Sequence, residues 1–303
     1  MGAVRPRFRL AGGSPAGFSP GARSPPTARM SEQFMSRTAG ASRHVGVVIL
    51  NYNTIEDTRS CLDELLHTDA PNRSILVLDN GSRENEGARL HIEYGDKILV
   101  ARSPINLGFA KGCNVASATL FHREKLSSLL FLNSDARIGW RDVMTLEEFM
   151  LSQPRIAAVG PRIVYGDSTP QTAGGRVDYV RGEPHWYPAP LSDLPYNVQV
   201  LHGAALLVNA DAWNRIGPFD PDYFVYSEET DWCVRAAAQG WKLFCVPGCV
   251  AYHGARGSFR GKLTPLHILL GAESNPLRPQ EGSEAALSRI LRISSRVHRP
   301  IPG

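Results

Sequence analysis

No stretch of this 303-residue chain approaches the roughly 18 to 20 consecutive apolar residues of a membrane-spanning helix, and its first 30 residues lack the apolar core of a secretory signal. A soluble protein is the expectation. Cysteine is sparse: the five, Cys61, Cys113, Cys233, Cys245 and Cys249, are odd in number and scattered. That excludes a disulfide framework and points to a reducing, cytoplasmic compartment. Glycine-rich phosphate loops are missing too. No GxGxxG comes after the first apolar run and no GxxxxGK[ST] occurs, so a bound phosphate needs something other than a backbone cradle. A carboxylate holding a divalent cation is the physical alternative, and Asp135 is the candidate.

The net charge of +4 hides an uneven distribution: +6 in residues 1–43, +5 in 256–303 and −7 in the body between them. An acidic body with basic tails argues against nucleic acid as a partner, because phosphate neutralisation requires cations on the folded surface. Residues 1–43 hold five Pro and six Gly without apolar periodicity and read as a disordered basic extension. Met30 or Met35 would serve equally as a start, and an organelle transit peptide is a rival reading of the same Arg-rich composition. The basic tails are compatible with peripheral association at the inner face of an anionic membrane.

From Val45 the pattern changes. Strands are expected at Val45–Leu50, Ile75–Leu78, Lys97–Ala101 and Leu129–Leu132, with helices at Ile55–His67 and Phe109–Phe121. This alternation predicts an α/β fold with a doubly wound, mostly parallel sheet flanked by helices, in which ligands sit beyond the carboxyl ends of the strands. The residues just past each strand are polar: Asn51-Tyr52-Asn53, Asp79-Asn80-Gly81-Ser82, Asn106 through Gly112, and Asn133-Ser134-Asp135. Each taken singly is ordinary turn chemistry. Four in succession point to a site.

In the second half, residues 166–197 are rich in Pro, Gly and Tyr and are expected to form a long ordered loop covering a site. Trp186 and Tyr187 in it would suit the apolar face of a sugar or simple loop packing. Strands are expected at Val198–Leu201 and Ala204–Val208, joined at His202-Gly203. Glu228, Glu229 and Asp231 crowd the first turn of a helix running to about Gln239, with Gly240 at its end. Such acids suit the helix dipole, and Asp231 with Arg235 makes an i,i+4 pair. The crowding, with Asp220 and Asp222 nearby, exceeds what a dipole needs and reads as a base, a metal site or both. Cys233, Cys245, Cys249 and His253 form a Cys-x11-Cys-x3-Cys-x3-His array compatible with zinc, though the Cys-x2-Cys knuckle is absent and buried small hydrophobes explain the cysteines more simply.

From about Val45 to Ser258 the chain resembles glycosyltransferase family 2, in particular the bacterial rhamnosyltransferase-like and galactofuranosyltransferase-like branch. The resemblance rests on VVILNYN (47–53), LDNGS (78–82), NLGFAKGCN (106–114), FLNSDA (131–136), GPFDPDYFVYSEETDWCVRAAAQGW (217–241) and VPGCVAYHGARGS (246–258). It implies a GT-A fold over residues 44–258, a nucleotide-binding half fused to an acceptor half, with a basic, partly disordered tail at 259–303. It implies inverting transfer of a sugar, cell-wall or other polysaccharide chemistry among the family's uses, from a dTDP- or UDP-sugar to a glycan or lipid-linked acceptor.

By the same resemblance, Asn51, Asn53, Asp79 and Asn80 would meet the donor nucleotide, and Asn106, Gly108, Asn114 and Asn133 would line its cleft. Asp135 matches the last acid of the family's metal motif and His253 a histidine that completes it, so Mn2+ or Mg2+ is the implied cofactor. Glu229 matches the general base, with Glu228 beside it and Asp231 toward the acceptor. Two departures stand out: the metal motif is Asn133-Ser134-Asp135 rather than DxD, and the base is Glu where Asp is more usual. The rival functions are a nucleotidyltransferase, for which the loop after the first strand supplies only Arg59, and a catalytically silent family member that binds nucleotide or glycan as an assembly partner. Oligomeric state is not specified by the sequence.

Overall fold

A computed structural model describes residues 43–179 and 183–254. The expected extensions, apart from Arg43, and the last four residues of the 246–258 motif lie outside the described residues. The order begins β1 (Val45–Asn51), α1 (Ile55–Leu66), β2 (Arg73–Asn80), α2 (Glu86–Tyr94), β3 (Leu99–Ser103), α3 (Phe109–Arg123) and β4 (Ser128–Asn133). The strands β3-β2-β1-β4 pair in parallel, and the carboxyl ends of β1 and β2 are level, with Asn51 opposite Asp79. Their apolar runs are buried on both faces, as parallel strands under helices require. One face is covered by α1 through Ile55, Cys61, Leu62 and Leu65 at helical spacing, the other by α3 through the small residues Ala110, Cys113 and Ala116 with Leu120.

The second half continues with β5 (Ala136–Ile138), α4 (Trp140–Ser152), β6 (Ile156–Val164), β7 (Pro170–Thr172), β8 (Gly175–Asp178), β9 (Glu183–Trp186), β10 (Tyr196–Val198), β11 (Ala205–Asn209), α5 (Ala210–Ile216), α6 (Glu228–Ala238) and β12 (Lys242–His253). The ten-stranded sheet runs β10-β12-β6-β11-β4-β1-β2-β3, with β5 on β12 and β7 on β6. Antiparallel β11 sits between β4 and β6. β12 first lies parallel to β6, shifts register between Val246 and Val250 around Pro247-Gly248, and then pairs antiparallel with β5 so that His253 faces Ala136. That last pairing brings the end of β12 to the end of β4. Beneath it, Phe131 packs its ring 4.9 Å from both Trp213 and Phe219.

Three expectations need correction. The segment 166–197 is not one loop: it contributes β7 and β10 to the main sheet, and β8 and β9 make a separate two-stranded hairpin. Strands of three or four residues are too short for alternation to be read from sequence. The strand expected at Lys97–Ala101 begins at Leu99, because Gly95–Lys97 close a 3-10 turn. The strand expected at Val198–Leu201 ends at Val198, and the N–H groups of Gln199 and Val200 donate instead to Gly175 O at 2.9 and 3.2 Å.

Candidate active site

At the ends of β1 and β2 the polar side chains bind one another. Asn51 is fully buried; its amide donates to Glu86 Oε2 at 2.7 Å and Ser82 Oγ at 3.2 Å, while its Oδ1 accepts from Thr58 Oγ1 at 2.7 Å. Asp79 is equally buried. Its Oδ1 accepts from Ser82 N at 2.9 Å, its Oδ2 from Gly87 N at 3.0 Å, and Arg102 Nε lies 3.6 Å away. Both side chains are fully buried in this network, which shapes the loops that flank the cleft. Asn53, exposed and left-handed at φ 56°, accepts from Arg83 N at 2.9 Å and joins the two loops.

Asn80, Asn106 and Gly108 do come together. Asn80 Nδ2 donates to Asn106 Oδ1 at 3.1 Å and to Gly108 O at 3.2 Å, and Asn106 Oδ1 also accepts from Gly108 N at 2.9 Å. Gly108 opens α3 with φ 79°, and a Cβ there would sit 2.5 Å from Phe224 O, so only glycine fits. Phe109 N donates to that same Phe224 oxygen. Asn114, expected in the cleft, instead clamps the loop before α6: its Nδ2 donates to Phe219 O at 2.8 Å and its Oδ1 accepts from Phe219 N at 3.1 Å. The parallel half thereby holds the approach to the acidic helix.

Beyond β4 the character changes. Asn133 Nδ2 lies 3.3 Å from His253 Nε2, and Asp135 Oδ1 lies 3.3 Å from the same nitrogen. His253 Nδ1 meets Gln171 Oε1 at 3.1 Å, which places the Nδ1 proton toward Gln171 and a lone pair on Nε2. A lone pair facing a carboxylate calls for a proton or cation between them. Asn133 Oδ1 and Asp135 Oδ2 are buried and have no hydrogen-bond partner among the described residues. A cation meets both needs, so these residues fit a divalent ion, with the neutral Asn133 oxygen as the weaker donor. Gly254 packs here as well; a Cβ on it would lie 3.6 Å from Asp135 Oδ2. A cavity of about 580 Å3 opens beside Asp135, lined also by Arg137, Tyr165, Tyr252 and Gly254.

The cysteine-histidine array does not assemble. Among the described residues no group of three or more His, Cys, Asp or Glu side chains is arranged to hold a metal, and Cys233, Cys245 and Cys249 are separately buried. Burial pushes the Cys245 thiol up to about 11 and those of Cys233 and Cys249 to about 12, so they behave as small hydrophobes.

In α6, Glu228 is buried and Glu229 is partly exposed. Burial raises both carboxyls, Glu228 well above the usual range because the Glu229 charge adds to its desolvation. Deeper burial and the neighbouring Glu229 charge favour the proton on Glu228, which leaves the charge on Glu229. Tyr226 and Ser227, immediately before the pair, both adopt left-handed backbone at φ 69° and 70°. Two consecutive non-glycine residues in that region cost about 1 to 2 kcal/mol each and mark a loop whose shape is imposed by its surroundings. Asp231, expected toward the acceptor, is held within the fold. It is buried, and its Oδ2 pairs with Arg235 Nε at 2.8 Å, while Arg235 also donates to Ile216 O and Pro218 O.

Sequence reasoning misses Gln171 and His202 as site residues. Gln171 lies in a stretch whose composition reads as loop, and only β7 carries it to His253. His202 stacks 5.1 Å from Trp186 and 5.5 Å from His253 between ring centroids. Burial, then the neighbouring His253, pulls its pKa down to about 3, so the ring is neutral.

The parallel sheet with its antiparallel continuation has the GT-A fold of glycosyltransferases. The model of "Glycosyl transferase family group 2" matches residues 128–264. That segment is less than half of the 303-residue chain, so the chain is similar to glycosyltransferase family 2 over its second half. It is 26% identical over 212 residues to an N-acetylglucosaminyl-diphospho-decaprenol L-rhamnosyltransferase of Mycobacterium tuberculosis, covering 62% of this chain and 68% of that protein. Among solved structures, GalNAc-T7 with UDP, GalNAc and Mn2+ superposes with a TM-score of 0.60 at 17% identity, over 77% of this chain and 48% of that one. The Pyrobaculum calidifontis mannosyltransferase with GDP-Man and Mn2+ gives 0.55 at 14% identity, over 90% and 76%. These structural likenesses speak to the fold. The chain thus spans about half of the GalNAc-T7 structure. No helix among the described residues is long and apolar enough to cross a membrane.

Proposed function

We propose that this protein moves a sugar, with inversion, from a nucleoside-diphosphate donor to a hydroxyl of a glycan or lipid-linked acceptor, and that residues 44–258 carry the activity. The observation that carries this is the meeting of Asn133 Nδ2 and Asp135 Oδ1 at His253 Nε2, with the remaining oxygen of each side chain, Asn133 Oδ1 and Asp135 Oδ2, buried and without a partner among the described residues. A divalent cation held by Asp135, His253 and Asn133 would neutralise charge on the departing diphosphate. Gln171 fixes the His253 ring so that Nε2 faces the cluster. Glu229, the more exposed member of the acid pair, takes the proton of the acceptor hydroxyl as its oxygen bonds to the anomeric carbon and the carbon–diphosphate bond breaks. Glu228 retains its own proton and keeps the charge on Glu229.

A thymidine or uridine donor is favoured, and dTDP-rhamnose first among them, because the mycobacterial relative is named a rhamnosyltransferase acting on a diphospho-lipid-linked sugar. The test is calorimetric titration with UDP, dTDP and GDP, each with and without Mn2+ or Mg2+. Cation-dependent binding of UDP or dTDP is expected. Failure of a folded sample to bind any of the three overturns the proposal.

A further inference from the structure

The segment His202-Gly203 touches both parts of the proposed machinery. The His202 ring meets the edge of His253 at 5.5 Å. The next residue, Gly203, lies against the base: a Cβ there would be 3.5 Å from Glu229 Cδ. In the proposed reaction the anomeric carbon is joined to the diphosphate on one side and attacked by the acceptor oxygen on the other. The transferred sugar therefore lies between the His253 cluster and Glu229, along the segment His202-Gly203.

The chemistry of the segment suits a sugar. His202 Nδ1 accepts the Ala204 N–H at 3.1 Å, so the proton of the neutral ring is on Nε2. Among the described residues no hydrogen bond to that N–H is present. Trp186 stands 5.1 Å from the His202 ring, held there by the β8–β9 hairpin, in which it pairs with Gly175. A carbohydrate ring offers an apolar C–H face and equatorial hydroxyls, which an indole face and a neutral N–H donor complement.

We propose that His202 and Trp186 form the subsite for the donor's sugar, His202 Nε2–H donating to a ring hydroxyl and Trp186 covering the apolar face. This rests on the assignment of Asn133, Asp135 and His253 to the diphosphate and of Glu229 to the acceptor.

The experiment titrates the full chain, in Mn2+, with dTDP-rhamnose, UDP-GlcNAc and GDP-mannose and with the parent nucleotides dTDP, UDP and GDP. His202→Phe keeps the ring and removes the donor. It should bind the preferred nucleotide sugar roughly three- to tenfold more weakly, the worth of one neutral hydrogen bond, with the parent nucleotide unchanged. His202→Gln, whose amide nitrogen reaches the Nε2 position, should restore the sugar nucleotide to within about twofold of wild type by keeping that bond. Unchanged parent-nucleotide affinity also reports that each variant is folded. If His202→Phe weakens both ligands equally, or neither, the subsite is overturned while the donor cleft stands. A wild-type protein that binds none of the three nucleotides overturns the transferase reading and the subsite with it.

Discussion

The ends of β1 and β2 and the ends of β4 and β12 carry the same kinds of residue but use them differently. At Asn51 and Asp79 every side-chain oxygen and nitrogen is engaged by a neighbour within the fold. At Asn133 and Asp135 an oxygen on each is buried and unpaired, and the same holds for Glu228 Oε2 on α6. Unsatisfied buried oxygens are costly, about 1 to 3 kcal/mol each, and folded proteins tolerate them where a ligand or proton completes the set. On the proposed function the first region is architecture and the second is chemistry, although both come after an apolar strand and carry Asn, Asp and Ser.

Substitution of Glu229 gives the largest effect expected from the second region. Glu229→Gln removes the base while keeping shape, and turnover with the preferred donor should fall by about two orders of magnitude or more. Nucleotide binding should persist, as calorimetry would show. Near-normal turnover would move the role to Glu228. Next in size is Asp135→Ala, which should abolish the dependence of nucleotide affinity on Mn2+, a loss on the order of tenfold or more, without lowering the melting temperature. An unchanged Mn2+ response in the titration would remove Asp135 from the cation site.

Asp79→Ala tests the other side of the comparison. It strands two buried N–H donors, Ser82 N and Gly87 N, and frees Arg102 from its partner. A stability loss of about 3 kcal/mol is expected in urea unfolding. Should Asp79→Ala instead leave stability intact and selectively weaken nucleotide binding, Asp79 would belong with the chemistry and the division between the regions would fail.

How far the sequence discloses this division depends on range. β1, β2, β4, α1 and α3 are legible because their apolar periodicity is long and local, and α6 because its acids and Gly240, at φ 77°, mark both ends. α2 is not, since Leu90 is its one large buried apolar side chain. Asp135 and His253 can be paired only by resemblance, because the β5–β12 pairing that joins them spans more than a hundred residues. Gln171 and His202 carry no signal at all: Gln171 lies on the three-residue β7, and the partners of the two come from β9 and β12, elements whose pairing no local pattern encodes. At Asn51, Asp79 and Asn114 residue type does not reveal that hydrogen-bonding capacity is met within the fold.

The smallest effect sharpens the assignment of proton and charge within the acid pair. Glu228 has its folded-state pKa raised by burial and by Glu229, so the fold favours its protonated form. Its contribution to stability is therefore complete below the unfolded carboxyl value of about 4.3 and is lost as pH rises through the higher folded value. Glu228→Gln substitutes a permanently neutral group of the same shape. The variant and the wild type should melt together near pH 4 and separate as pH rises, with the variant the more stable at pH 8. Because Glu229 keeps its charge in both, the variant should retain an active base, and kcat should change far less than in Glu229→Gln. A melting difference that is constant from pH 4 to pH 8, or that favours the wild type at the alkaline end, would show that Glu228 is ionised in the fold and that the two acids have the opposite roles.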